Sequence, residues 1–128
     1  MKVKAGIIYN AIQVIDELSE KPMKVALVAK LLRLSDELQK ENQLVEKQRV
    51  EILEKYGKKD ENGQLIIDEN NNVNFENDNI EKVQKELYDL SELEIEITDR
   101  EITEEELENN NLELTMNQFI ILSNFIHK

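Results

Sequence analysis

The chain has 128 residues, 34% of them charged and 40% hydrophobic, with no cysteine and a net charge of −12. That length suits one domain with one modest core, and the missing cysteines exclude disulfides, thiolate metal sites and a cysteine nucleophile. No apolar run is long enough for a membrane span, and three glycines leave no phosphate-cradling loop in recognised form.

Met1 to Lys4 is too short to assign, although Val3 could join a sheet edge. From Gly6 to Ser19, residues Ile8, Ala11, Ile12, Ile15 and Leu18 recur at helical spacing, and Ile7 and Val14 widen the stripe. The polar residues Asn10, Gln13, Asp16 and Glu17 make this segment an amphipathic helix rather than a signal peptide. Pro22 interrupts it, and Glu20 to Met23 reads as a short connection.

A second helix is expected from Lys24 or Val25 to Tyr56. Its first half is rich in Leu and Val, and its second thins to one stripe. Leu31, Leu38, Val45 and Ile52 fall every seven residues, while the other seam position reads Val28, Ser35, Asn42, Arg49, Tyr56. So polar a seam argues against a strict coiled coil and for an antiparallel hairpin partner; it also permits a homodimer through the long helix. Glu37/Lys40 and Glu51/Lys55 are opposite-charge pairs at helical spacing.

Gly57 suits a helix C′ position, where positive φ is needed. Leu65 to Ile67 and Val73 to Phe75 read as two β-prone pieces joined by an Asx-rich turn, a small hairpin. Asp78 and Glu81 resemble a capping box opening a helix with Ile80, Val83, Leu87 and Leu90 on one face. Ser91 to Thr98 alternates as a half-buried strand, with Leu93, Ile95 and Ile97 opposite Glu92, Glu94 and Glu96, and Leu112 to Leu114 is expected beside it. Thr103 and Thr115 cap two short helices, the second carrying Phe119, Ile120, Leu122, Phe125 and Ile126. No internal repeat is evident.

The expected fold is mainly α with a minor β component: a long antiparallel helical hairpin, a small β-hairpin at its tip, and a short two-stranded element with a C-terminal helix. It forms one domain over 1–128, divided into 1–56, the tip at 57–77, and 78–128.

Candidate chemistry is thin. The Asp/Asn loops at Asp60 and Asp68 lack both the sixth-place Gly and the twelfth-place Glu of a calcium loop, and read as Asx turns. His127 has no second histidine or cysteine to share a metal, and reads as a frayed terminal residue. The serines lack a nucleophile motif. No catalytic residue, cofactor or metal is expected.

Charge is distributed unevenly. Residues 1–58 carry eleven Lys/Arg against nine Asp/Glu, whereas residues 59–128 carry five against nineteen. The acidic half repels phosphate, so direct nucleic-acid binding is not expected. The run Asp99, Glu101, Glu104, Glu105, Glu106 and Glu108 explains itself partly as dipole-favouring charge at a helix start. Glu92, Glu94, Glu96, Glu101, Glu104, Glu105, Glu106 and Glu108 form the candidate partner-binding surface.

The order of parts, NAIQVIDELSEK, LLRLSDELQ, EKYGKKDENGQLIIDENNNV, LEIEI and LTMNQFIILSNFI, resembles a family of small helical proteins of unknown function from phages and prophages of low-GC Gram-positive bacteria. The resemblance covers nearly the whole chain, has its most distinctive part at KYGKKDENG, and brings no catalytic residues. It implies a phage origin and a host-cytoplasmic setting, with the virion as the other location. The expected function is a non-enzymatic accessory protein that binds another protein, modulating a host or defence factor. The alternatives are an acidic nucleic-acid mimic that inhibits a nuclease or defence complex, and a tail or neck component of the virion.

Overall fold

The computed structural model describes residues 2–98 and 101–127. The helical stripe of the first segment forms α1 (Ala5–Leu18), with Ala5, Ile8, Ala11, Val14, Ile15 and Leu18 buried. They pack against Leu27, Leu31, Leu34 and Leu38 in the first half of α2 (Val25–Tyr56). Ile8, Leu18, Leu27, Leu34 and Leu38 are fully enclosed, each contributing about 1.5–3 kcal/mol of apolar burial. Beyond Leu38, no residue of α2 belongs to the main core.

The second half of α2 instead meets α3 (Asn77–Glu92), as the thin matching stripes predict. Val83 is the buried residue of this helix, and Lys55 reaches Glu86 at 3.5 Å. Lys55 therefore turns to the facing helix, not to Glu51 as its spacing suggested, and its ammonium also lies 4.9 Å from the Tyr56 ring centroid. Glu37 likewise accepts from the backbone N–H and hydroxyl of Thr98, at 2.7 and 2.8 Å, in place of the Lys40 pairing expected from sequence. A backbone donor from a segment distant in sequence offers a carboxylate better geometry than a neighbouring surface lysine does.

The sheet differs from expectation. β1 (Lys2–Lys4) pairs antiparallel with β2 (Glu94–Glu96), in the register Lys2↔Glu96, Val3↔Ile95, Lys4↔Glu94. Leu112 to Leu114 forms no strand. Ser91 and Glu92 close α3, where half-buried Leu87 and Leu90 continue the helical stripe past Val83, and Leu93 is its 48%-exposed C-cap. The chain enters α1 directly from β1, where Ala5 N–H donates to Leu93 O at 2.8 Å. Two short helices complete the body: α4 (Glu104–Asn109), capped by Thr103 as expected, and α5 (Met116–Leu122), with a full Thr115/Gln118 capping box. His127 is not frayed at the backbone; its N–H donates to Ile102 O at 2.8 Å and closes over buried Phe125 and Ile126.

The tip is a three-part clasp, not a two-strand hairpin. Antiparallel bridges join Gly57 to Phe75, Lys59 to Leu65, and Ile67 to Val73. The middle residues close a ring: Lys58 N–H donates to Asn74 O (2.7 Å), Asn74 N–H to Ile66 O (3.2 Å), and Ile66 N–H to Lys58 O (2.9 Å). These residues stand eight apart, and the eight-residue unit repeats, correcting the expectation of no repeat.

Asp60 Oδ1 accepts from Asn62 and Gln64 N–H at 2.8 and 3.0 Å, and Asp68 Oδ1 accepts from Asn70 and Asn72 N–H at the same two distances. Each turn then passes through a positive φ, 79° at Gly63 and 63° at Asn71. A third copy begins at Glu76, where Asn79 N–H donates to Glu76 O at 2.9 Å as Gly63 does to Asp60. This copy continues into α3, so the helix starts at Asn77 with Glu76 as N-cap and without a capping box at Asp78.

Gly57 is extended (φ −68°, ψ 146°), not left-handed. A Cβ there would lie 2.5 Å from Leu65 Cδ2, 2.7 Å from Leu53 O and 2.8 Å from Val73 Cγ1. Gly57, Leu65 and Val73 occupy the same place in successive repeats, and one of the three must be bare.

Candidate functional site

Helical geometry splits the acidic run. On α4, Glu106 turns inward with buried Leu107, while Glu104, Glu105 and Glu108 are exposed. Glu106 Oε1 lies 2.6 Å from Lys30 Nζ, with the two side chains only 23% and 26% exposed. Glu101 Oε2 lies 2.6 Å from Arg33 Nη2 in a more exposed pair.

With Thr98 on Glu37, these contacts form an antiparallel polar zipper: positions 30, 33 and 37 follow one face of α2, and 106, 101 and 98 run back along it. Asn110 completes it beyond α4. Its Oδ1 accepts from Lys24 N–H at 2.6 Å, satisfying a donor at the start of α2, and its Nδ2 donates to Glu106 O at 2.7 Å. Glu101 and Glu106 thus serve the fold, and the lysine and arginine of α2 are their partners. Asp99 lies outside the described residues.

The carboxylates of the sheet are also accompanied by cations. Glu92 Oε2 is 2.7 Å from Lys4 Nζ; the Glu92 carboxylate, through its hydrogen bond and then its charge, raises the Lys4 pKa above its ordinary 10.5. Glu94 and Glu96 stand opposite Lys4 and Lys2 in the β1–β2 register. Glu92, Glu94 and Glu96 therefore do not extend the α4 acids into one uninterrupted negative strip.

The outward acids of α4 border apolar surface instead. Met116 is 82% exposed, Ile120 57% and Phe119 40%. They share one face of α5, while Leu122 is buried on the other side. Between α4 and α5 lies an open cleft of about 320 Å³, lined by Leu107, Leu112, Met116 and Phe119, with Glu104 and Glu108 at its edge. The α5 helix is held by its capping box and by Gln118 Nε2, which donates to Glu17 Oε2 at 2.5 Å.

Sequence reading placed Phe119 and Ile120 on this helix without separating its two faces. The available signal was the crowding of apolar residues in MNQFIIL, more than one buried face of so short a helix accommodates.

A second concavity of about 280 Å³ between α1 and α2 is lined by Ile15, Met23, Val28 and Leu32, with mixed charge from Asp16, Lys21 and Asp36. Among the described residues no group of His, Asp or Glu is placed to hold a metal, and no helix is long and apolar enough to cross a membrane. Comparison with protein families, curated proteins and solved structures finds no match.

Proposed function

We propose that this chain is a non-enzymatic protein-binding protein, a phage or prophage accessory factor that acts on a host or defence protein through the outer face of α4 and α5. The observation that supports this reading is the adjacency of exposed Met116 and Phe119 to outward Glu104 and Glu108 around one cleft. Contiguous exposed apolar groups rimmed by polar residues mark association surfaces, whereas singly scattered ones do not.

The nucleic-acid mimic draws less support, since Lys2 and Lys4 interleave with Glu92, Glu94 and Glu96, and Glu101 and Glu106 are engaged by α2. A mimic needs regularly spaced charge that is free to meet a basic groove.

The test is affinity capture from infected cells with the immobilised chain. A retained host protein that elutes with salt, and is lost when Glu104, Glu105 and Glu108 are reversed to Lys, supports the reading. Retention unaffected by that reversal removes the acidic face from it, and recovery of the chain in purified virions by mass spectrometry replaces it with a structural role.

A further inference from the structure

We infer that the cleft between α4 and α5 takes a cationic amphipathic segment of a partner protein, with an apolar side chain seated between Met116 and Phe119 and flanking Lys or Arg on Glu104 and Glu108. This inference rests on the protein-binding reading and specifies what is bound. The floor of the cleft, Leu107 and Leu112, is apolar, and among the described residues its lining carries two carboxylates and no cation. Glu104 and Glu108 are four residues apart and share one helical face, a spacing that a cationic helix can match with basic residues one turn apart.

Charge decides among occupants. A second copy would bring another −12 chain against the same carboxylates, and a nucleic acid would bring phosphates. A cationic segment gains attraction from the rim and burial from the floor, and these favour different properties: the charges steer and orient, and the apolar anchor holds. The cleft is largely preformed, because the zipper to α2 fixes α4 and the capping box fixes α5, which lowers the ordering cost of binding.

The experiment uses the full chain, isotopically labelled, and three synthetic peptides: an amphipathic Leu/Lys helix, an oligolysine of equal charge, and the amphipathic helix with Lys replaced by Gln. The expected result is amide shifts centred on Leu107, Leu112 and Phe119, with the Leu/Lys peptide binding at least tenfold more tightly than either control. Phe119→Ser and the double reversal of Glu104 and Glu108 to Lys should each weaken it by about tenfold, whereas Glu94→Lys should not. Phe119 and the two acids face solvent, and circular dichroism checks that the variants fold.

Equal affinity for oligolysine, or shifts centred on β2 or α3, overturns the inference, as does concentration-dependent self-association abolished by Met116→Ser. In the capture experiment, a host protein retained equally by Phe119→Ser overturns the cleft and leaves protein binding standing. Peptide binding in the cleft without any retained protein supports the cleft's chemistry and counts against the accessory role.

Discussion

Glu106 meets Lys30 at 2.6 Å with both side chains mostly enclosed, whereas Glu104 and Glu108 on the same helix look outward. One acidic helix therefore carries two kinds of carboxylate. Reversing Glu104, Glu105 and Glu108 should remove partner binding while lowering the unfolding midpoint only modestly, by the lost dipole interaction of the two first-turn acids, about 0.3–1 kcal/mol each. A double-mutant cycle on Lys30 and Glu106 should give about 1 kcal/mol of coupling, and the exposed Arg33–Glu101 pair about 0.2–0.5 kcal/mol that fades with salt. Urea denaturation at two salt concentrations measures both.

Gly57→Ala should destabilise the chain by about 1–3 kcal/mol, the range for overpacking, because Leu53 O cannot retreat as the Leu65 and Val73 side chains can. Pairing it with Leu65→Ala should recover little of the loss, since the Leu53 carbonyl still lies 2.7 Å from the added Cβ. The readout is the denaturation midpoint of the single and double variants.

At Gly63 a Cβ meets nothing within 4 Å, but φ is +79°. Gly63→Ala should cost about 1 kcal/mol through left-handed strain alone. Gly63→Asn should cost less, because Asn71 already occupies the equivalent turn, and Asn71→Gly should be tolerated. Thermal midpoints of the three variants check the equivalence of the two turns.

The Lys4–Glu92 contact gives a pH signature. Because the folded Lys4 pKa is raised above 10.5, its contribution is fully present below that value and is lost as pH rises through the higher folded pKa. The small difference in thermal midpoint between wild type and Lys4→Met should hold from neutral pH to about 10.5 and close above it. A difference that persisted unchanged well above pH 10.5 would show that the Lys4 charge is not its source.

Much of the helical layout was legible because periodicity is local. The stripes of α1 and α2, the matching stripe of α3, and the Thr103 and Thr115 caps all follow from spacing within one turn or two. What escaped depends on partners distant in sequence. Lys2–Lys4 is too short to announce itself as the strand beside Glu94–Glu96, and Leu112–Leu114 has the same local pattern without the pairing. Glu106 and Glu108 are the same residue type on one short helix, and the face that packs on α2, where Lys30 meets Glu106, distinguishes them. The eight-residue unit was hidden by drift: Gly, Leu and Val hold one position, and the third turn continues as helix. For the candidate surface, the acids were visible, but the exposed face of α5 required knowing which side packs inward.

The ring of Lys58, Ile66 and Asn74 begins two residues after one helix and ends three before the next. It works as a self-contained buckle: its hydrogen bonds depend on its own internal spacing and not on the length of the helices it joins. Matched deletions of one heptad from the outer part of α2 and from α3 would shorten the projecting pair by about 10 Å while leaving the buckle's internal bonds intact. The projecting pair is thus adjustable in reach, with the buckle at one end and the packed body at the other as fixed fittings.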